Sequence, residues 1–114
     1  MVRPLALGYL RLWAADPPEV GATLIAELHS YADQEGLTLA GVYTDLFDPP
    51  ADGPDRPRFC ALTDAIRRLD PDAVIIPGPD HLSRYPRQFA SRRTIIDTEG
   101  GARLLIIHPG RDLP

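Results

Sequence analysis

The sequence predicts an α/β domain of three layers, with a four-stranded, mainly parallel sheet carrying helices on both faces. Three observations lead there. Short apolar runs alternate with amphipathic helical stretches along all 114 residues. Pro, Gly and Asp mark most of the changeovers. The run Ala73-Val74-Ile75-Ile76 is continuously apolar, as expected of a strand buried on both faces. Strands joined by helices at this spacing wind as right-handed βαβ units. The length suits one domain, 1–114, with a core of useful size.

The elements follow in order. Leu5 to Leu12 is a mostly apolar first strand. Pro17 and Pro18 suit a helix start, where a missing N–H costs nothing. Val20, Leu24, Ile25, Leu28, Tyr31 and Ala32 then recur at helical spacing, and Gly36 stops the helix. Leu37 to Thr44 reads as the second strand, and the breaker-rich Asp48 to Asp55 as a mobile loop. A second helix from about Arg58 to Leu69 puts Phe59, Leu62, Ile66 and Leu69 on one face, with Cys60 among the packing residues. Ala73–Ile76 is the third strand, and Gly78 to Arg84 a loop. A third helix runs to about Glu99, where Gly100-Gly101 ends it. Leu104 to Ile107 is the fourth strand.

Charge narrows the function classes. The net charge is -4, whereas stand-alone DNA binders usually carry a basic excess. All twelve basic residues are arginine, which with thirteen prolines reads as a GC-rich coding bias and a bacterial origin. The basic residues are unevenly placed. His81 to Ile96 holds Arg84, Arg87, Arg92 and Arg93 and no acid, so it is either a solvated helix face or an anion-facing, nucleic-acid-contacting surface. One cysteine excludes an intrachain disulfide and suits a reducing cytoplasm. Arg11 interrupts the apolar N-terminus that faintly resembles a signal peptide, and no apolar run is long enough to span a membrane. His29, His81 and His108 lack metal-ligand spacing, and no glycine-rich loop follows the first strand. No cofactor or metal is expected.

In open parallel sheets, function gathers in the loops beyond the carboxyl ends of the strands. That edge would collect Arg11, Asp45 and the run Asp80-His81-Leu82-Ser83-Arg84. Arginine forks suit the equatorial oxygens of a phosphoryl group, and Arg11, Arg56 and Arg84 are the candidates. Plainer roles compete. Asp80 is a possible helix cap, Arg11 a possible strand partner of Asp45, and Trp13 a possible cover for the core at a strand end.

Tyr9-Leu10-Arg11-Leu12-Trp13 resembles the Tyr-x-Arg-Val-Ser opening of the serine recombinase (resolvase/invertase) catalytic domain. Tyr43-Thr44-Asp45, Arg56-Pro57 and Asp80-His81-Leu82-Ser83-Arg84 resemble further elements of that family, the last its Asp-Arg-Leu-x-Arg run. The resemblance covers nearly the whole chain and implies the fold described above. It also implies a DNA phosphate as substrate and a serine at position 13 as nucleophile. Here the departures fall on the chemistry. Trp13 has only an N–H donor and cannot attack phosphorus, and His81 replaces an arginine. No serine or threonine lies within nine residues of position 13. The family's glutamine-bearing stretch reads Ala14-Ala15-Asp16-Pro17-Pro18. By the resemblance, the expectation is a single domain, 1–114, without the long helix and the DNA-binding region that follow in the family.

The expectation is a vestigial site of Arg11, Trp13, Asp45, Arg56, Asp80, His81 and Arg84 that does not cleave DNA. The domain would act instead as a binding or regulatory module, through homodimers or by association with a recombinase, touching DNA weakly or indirectly. The alternative is a phosphate-handling enzyme that uses the arginines with water or substrate as nucleophile.

Overall fold

Among the described residues, each of four α-helices begins on a proline: α1 (Pro18–Gln34), α2 (Pro57–Leu69), α3 (Pro79–Leu82) and α4 (Pro86–Thr94). The ring presets a helical φ at a position whose N–H has no intrahelical acceptor. The computed structural model describes residues 3–47 and 57–110. Among them lie four strands, β1 (Leu5–Trp13), β2 (Thr38–Phe47), β3 (Ala73–Ile76) and β4 (Arg103–Ile106). Arg56 and the breaker-rich 48–55 stretch lie outside the described residues.

The strands pair in the order β2-β1-β3-β4, all parallel. Alternate side chains of the two central strands feed two cores, one on each face. Ala6, Leu10, Ala73 and Ile75 pack with Leu28 and Ala32 of α1 on one face. Leu7, Tyr9, Val74 and Ile76 pack on the other with Phe59, Leu62 and Ile66 of α2, Leu82 of α3 and Ile96. The sheet is therefore covered on both sides, as its continuous apolar strands require. Gly8 permits the close approach of α1: a Cβ there would stand 2.9 Å from Leu28 Cδ1.

Five local expectations change. Asp45 lies inside β2 rather than beyond it, because the strand runs on to Phe47. The 78–84 loop contains the short helix α3. The third helix is α only to Thr94, and Ile95–Glu99 forms a π turn. Val20, Ile25 and Leu69 keep the helical phase but are exposed. Cys60 is exposed on α2 and is not a packing residue.

Candidate functional site

β1 outruns β3. The ladder between them covers only Ala6 to Gly8, whereas β1 continues to Trp13 beside β2. The strand order reverses direction between β1 and β3, so a crevice opens at their carboxyl ends. Helix α3 fills it. Leu82 is buried in the core beneath, and the backbone N–H of Arg11, left without a β3 carbonyl, donates to His81 Nδ1 at 3.0 Å. An accepting Nδ1 carries no proton. His81 thus completes the hydrogen bonding of β1, a role no guanidinium can take because it has no acceptor.

Asp45 has an equally definite task. It is 5% exposed, and its carboxylate accepts three hydrogen bonds. Arg58 N–H donates to Oδ1 at 2.9 Å, Phe59 N–H to Oδ2 at 3.0 Å, and Tyr9 O–H to Oδ2 at 2.7 Å. Two of these satisfy N–H groups in the first turn of α2, where a negative charge also meets the positive end of the helix dipole. The third holds Tyr9, whose ring meets Phe59 edge-on at 5.4 Å. Arg11 and Asp45 are strand partners in the β1–β2 register, as one plain reading of Arg11 allowed, while the carboxylate itself is directed to Tyr9 and α2.

Trp13 closes β1 in a tight turn. Its N–H donates to Asp16 Oδ2 at 3.2 Å, and Asp16 N–H donates to the Trp13 carbonyl at 3.0 Å. Trp13 is 48% exposed, so about half of the residue is covered at the strand end. Asp80 stands in the first turn of α3, with Oδ1 shielded from solvent; the N-cap itself is Gly78.

Beyond α3 the chain turns on Ser83. Its buried Oγ accepts from Tyr85 N–H at 3.0 Å and donates to Gln88 Oε1 at 3.1 Å, which fixes the entry to α4. Arg84 lies over the Tyr85 ring at 5.9 Å. Arg92 turns inward, donating to the Leu82 carbonyl at 2.9 Å and lying 5.9 Å from the Phe59 ring centre. Arg87 and Arg93 remain exposed.

The fold therefore gathers Arg11, Trp13, Asp80, His81 and Arg84 at one edge, while Asp45 and Arg92 are taken up by structural bonds. Arg56 lies outside the described residues. Sequence reasoning gave no role to Tyr9, Asp16 or Tyr85. Tyr9 and Asp45 stand 36 residues apart, and only the in-register pairing of β1 with β2 makes them neighbours. Among the described residues no cluster of His, Cys, Asp and Glu could hold a metal ion, and no helix is long and apolar enough to cross a membrane.

Neither a protein-family model nor a curated protein matches the chain. Solved structures do. The C-terminal catalytic domain of ISC1926 TnpA, an IS607-like serine recombinase, superposes with a TM-score of 0.78 at 21% identity, over 94% of this chain and 72% of that one. The N-terminal catalytic domain of TP901-1 integrase gives 0.74 at 21% identity, over 90% and 76%. A serine recombinase from Sulfolobus solfataricus gives 0.72 at 18% identity, over 95% and 70%. The chain has the fold of serine recombinase catalytic domains.

Proposed function

We propose that this recombinase-like domain does not cleave or exchange DNA strands and serves as a binding or regulatory module. The observation that carries this reading is Trp13 at the carboxyl end of β1, followed by Ala14-Ala15-Asp16-Pro17-Pro18. No serine or threonine stands where the resemblance puts the nucleophile, and the indole N–H is the only polar side-chain group of position 13. His81 supports the same reading. A recombinase-type arginine would aim positive charge at a phosphate, whereas this ring spends Nδ1 on the Arg11 N–H.

The partner is a second copy of the domain or an active recombinase of similar fold. Contact with duplex DNA is weak, in keeping with the net charge of -4. The exposed Cys60 thiol suits the reducing cytoplasm of a bacterial cell, where we place the protein.

The test is direct. Purified protein is incubated with supercoiled plasmid and quenched in denaturant, then examined for nicking and for protein covalently attached to DNA. Neither should appear. A covalent adduct, from any residue, refutes the reading. Sedimentation across a range of concentrations, alone and with a recombinase catalytic domain, checks the module role; a strict monomer that associates with neither refutes that part.

A further inference from the structure

We propose that the carboxyl edge of β1 and the α3–α4 junction form a stacking site for unpaired nucleobases, so that the domain binds single-stranded polynucleotide in preference to duplex. The inference deepens the non-cleaving reading and rests on it for the character of this edge.

Two aromatic rings carry it. Trp13 and Tyr85 are each 48% exposed. Tryptophan is highly buried on average, and leaving half of two large rings in water forgoes apolar burial that this small domain has reason to use. Each is tied through the chain to the hydrogen bond from Arg11 N–H to His81 Nδ1, Trp13 along β1 and Tyr85 along the α3–α4 junction. Trp13 lies two residues beyond Arg11, roughly 6.6 Å along the strand. Strand alternation directs it to the face of Tyr9, where α2, α3 and α4 pack. Tyr85 lies four residues beyond His81, and its backbone is locked by Ser83 Oγ. The rings are therefore mounted on rigid backbone, and stacking a base on them costs little ordering.

Charge selects the ligand. Trp, Tyr and Arg also make protein hot spots, but a protein-docking surface is usually poor in uncompensated charge at its centre. Here the acid-free stretch runs along α4 with Arg87 and Arg93 exposed and in no ion pair among the described residues, and Arg84 lies over the Tyr85 ring. Aromatic faces for bases beside guanidinium groups for phosphates are the two components of sequence-tolerant single-strand binding. A duplex offers the phosphates but hides the faces of its bases. The net charge of -4, with Asp16 beside Trp13 and Asp80 beside His81, limits the affinity, while exposed acids more than about 10 Å away are largely screened at ordinary salt.

Trp13 is the only tryptophan, so its fluorescence reports on this edge alone. Full-length protein is titrated at low salt with oligothymidylate of about 12 nucleotides, with oligouridylate of the same length, and with a matched duplex. Saturable quenching by either single strand, with little response to the duplex, is expected; the two single-strand arms report whether DNA or RNA is preferred. Tyr85→Ala should weaken binding about fivefold to a hundredfold, the weight of one base–aromatic stack, whereas Tyr85→Phe should keep it. Arg87→Ala should lower the slope of log affinity against log salt by about 0.7. Circular dichroism of each variant confirms that the fold is retained. Equal quenching by duplex, or Tyr85→Ala binding as tightly as wild type, overturns the proposal. So does emission that follows protein concentration but ignores both oligonucleotides, which would mark the rings as a protein contact. None of these readouts depends on cleavage, so the site and the non-cleaving reading fail separately.

Discussion

Replacing Asp45 by alanine tests the hydrogen-bond hub that ties β1, β2 and α2 together. The substitution removes the acceptor for Tyr9 O–H, Arg58 N–H and Phe59 N–H at once. Tyr9 is fully buried and Phe59 nearly so, so water does not readily replace the lost partner at two of the three donors. Each buried donor left unsatisfied costs about 1–3 kcal/mol. The Arg58 N–H, at the more open end of the helix, adds about 0.5–1 kcal/mol, the lower part of the range for losing a helix cap. Allowing for partial relaxation, Asp45→Ala should lose about 3–5 kcal/mol, a large part of the roughly 5–15 kcal/mol that holds a domain folded. Urea unfolding, followed by far-ultraviolet circular dichroism and Trp13 fluorescence, measures it. Tyr9→Phe removes one donor and its partner bond, and should cost only about 1 kcal/mol. In the double variant Tyr9→Phe/Asp45→Ala the total should fall short of the sum by about 1 kcal/mol or more, because the phenyl ring leaves no hydroxyl to strand. A loss below about 1 kcal/mol for Asp45→Ala would refute the reasoning, as would strict additivity in the cycle.

Three further predictions follow from single contacts. Gly8→Ala should cost about 1–3 kcal/mol by overpacking, since its Cβ would meet Leu28 Cδ1 at 2.9 Å and Val42 Cγ2 at 3.3 Å; a thermal melt showing no loss would mean that α1 lifts freely from the sheet. Gly100→Ala should be worse, at or above ~3 kcal/mol, because one of the two atoms in its way, the Ile96 carbonyl oxygen at 2.8 Å, is backbone and cannot swing aside. His81→Arg, which brings the loop closer to the recombinase pattern, should nevertheless speed hydrogen exchange at the Arg11 amide, because arginine has no acceptor for that N–H. Unchanged protection at Arg11 would show that the histidine bond is dispensable.

Most of the fold was legible in the residues themselves. Period-two and period-3.6 patterns depend only on local geometry, so β1, α1, α2 and β3 fall within a few residues of where the pattern puts them. Ends were less legible. The pattern stops β2 at Thr44, yet the strand runs on through Asp45 to Phe47, because Asp45, Leu46 and Phe47 pair with Arg11, Leu12 and Trp13 and extend the ladder. The π turn at Ile95–Glu99 has no sequence signature either; it precedes Gly100, whose missing side chain lets the turn press against Ile66.

The site divides along the same line. Composition and order already showed an arginine, an aspartate and a DHLSR run facing one sheet edge, and a tryptophan where a nucleophile was expected. These are statements about which chemical groups exist, and no folding can supply a missing hydroxyl. What each group does depends on distance. Asp45 read as a possible partner of Arg11 and became a clamp on Tyr9 and α2, and Trp13 read as core cover and proved half-exposed. His81 read as a weakened arginine and proved to be the acceptor that completes β1. The sequence alone thus determined the α/β architecture and the absence of a serine at position 13, since both follow from local pattern and residue identity. Only the tertiary structure decided which side chains are spent on holding the fold and which remain exposed. Hydrogen bonds between residues 36 and 70 positions apart exist only once the strands are in register.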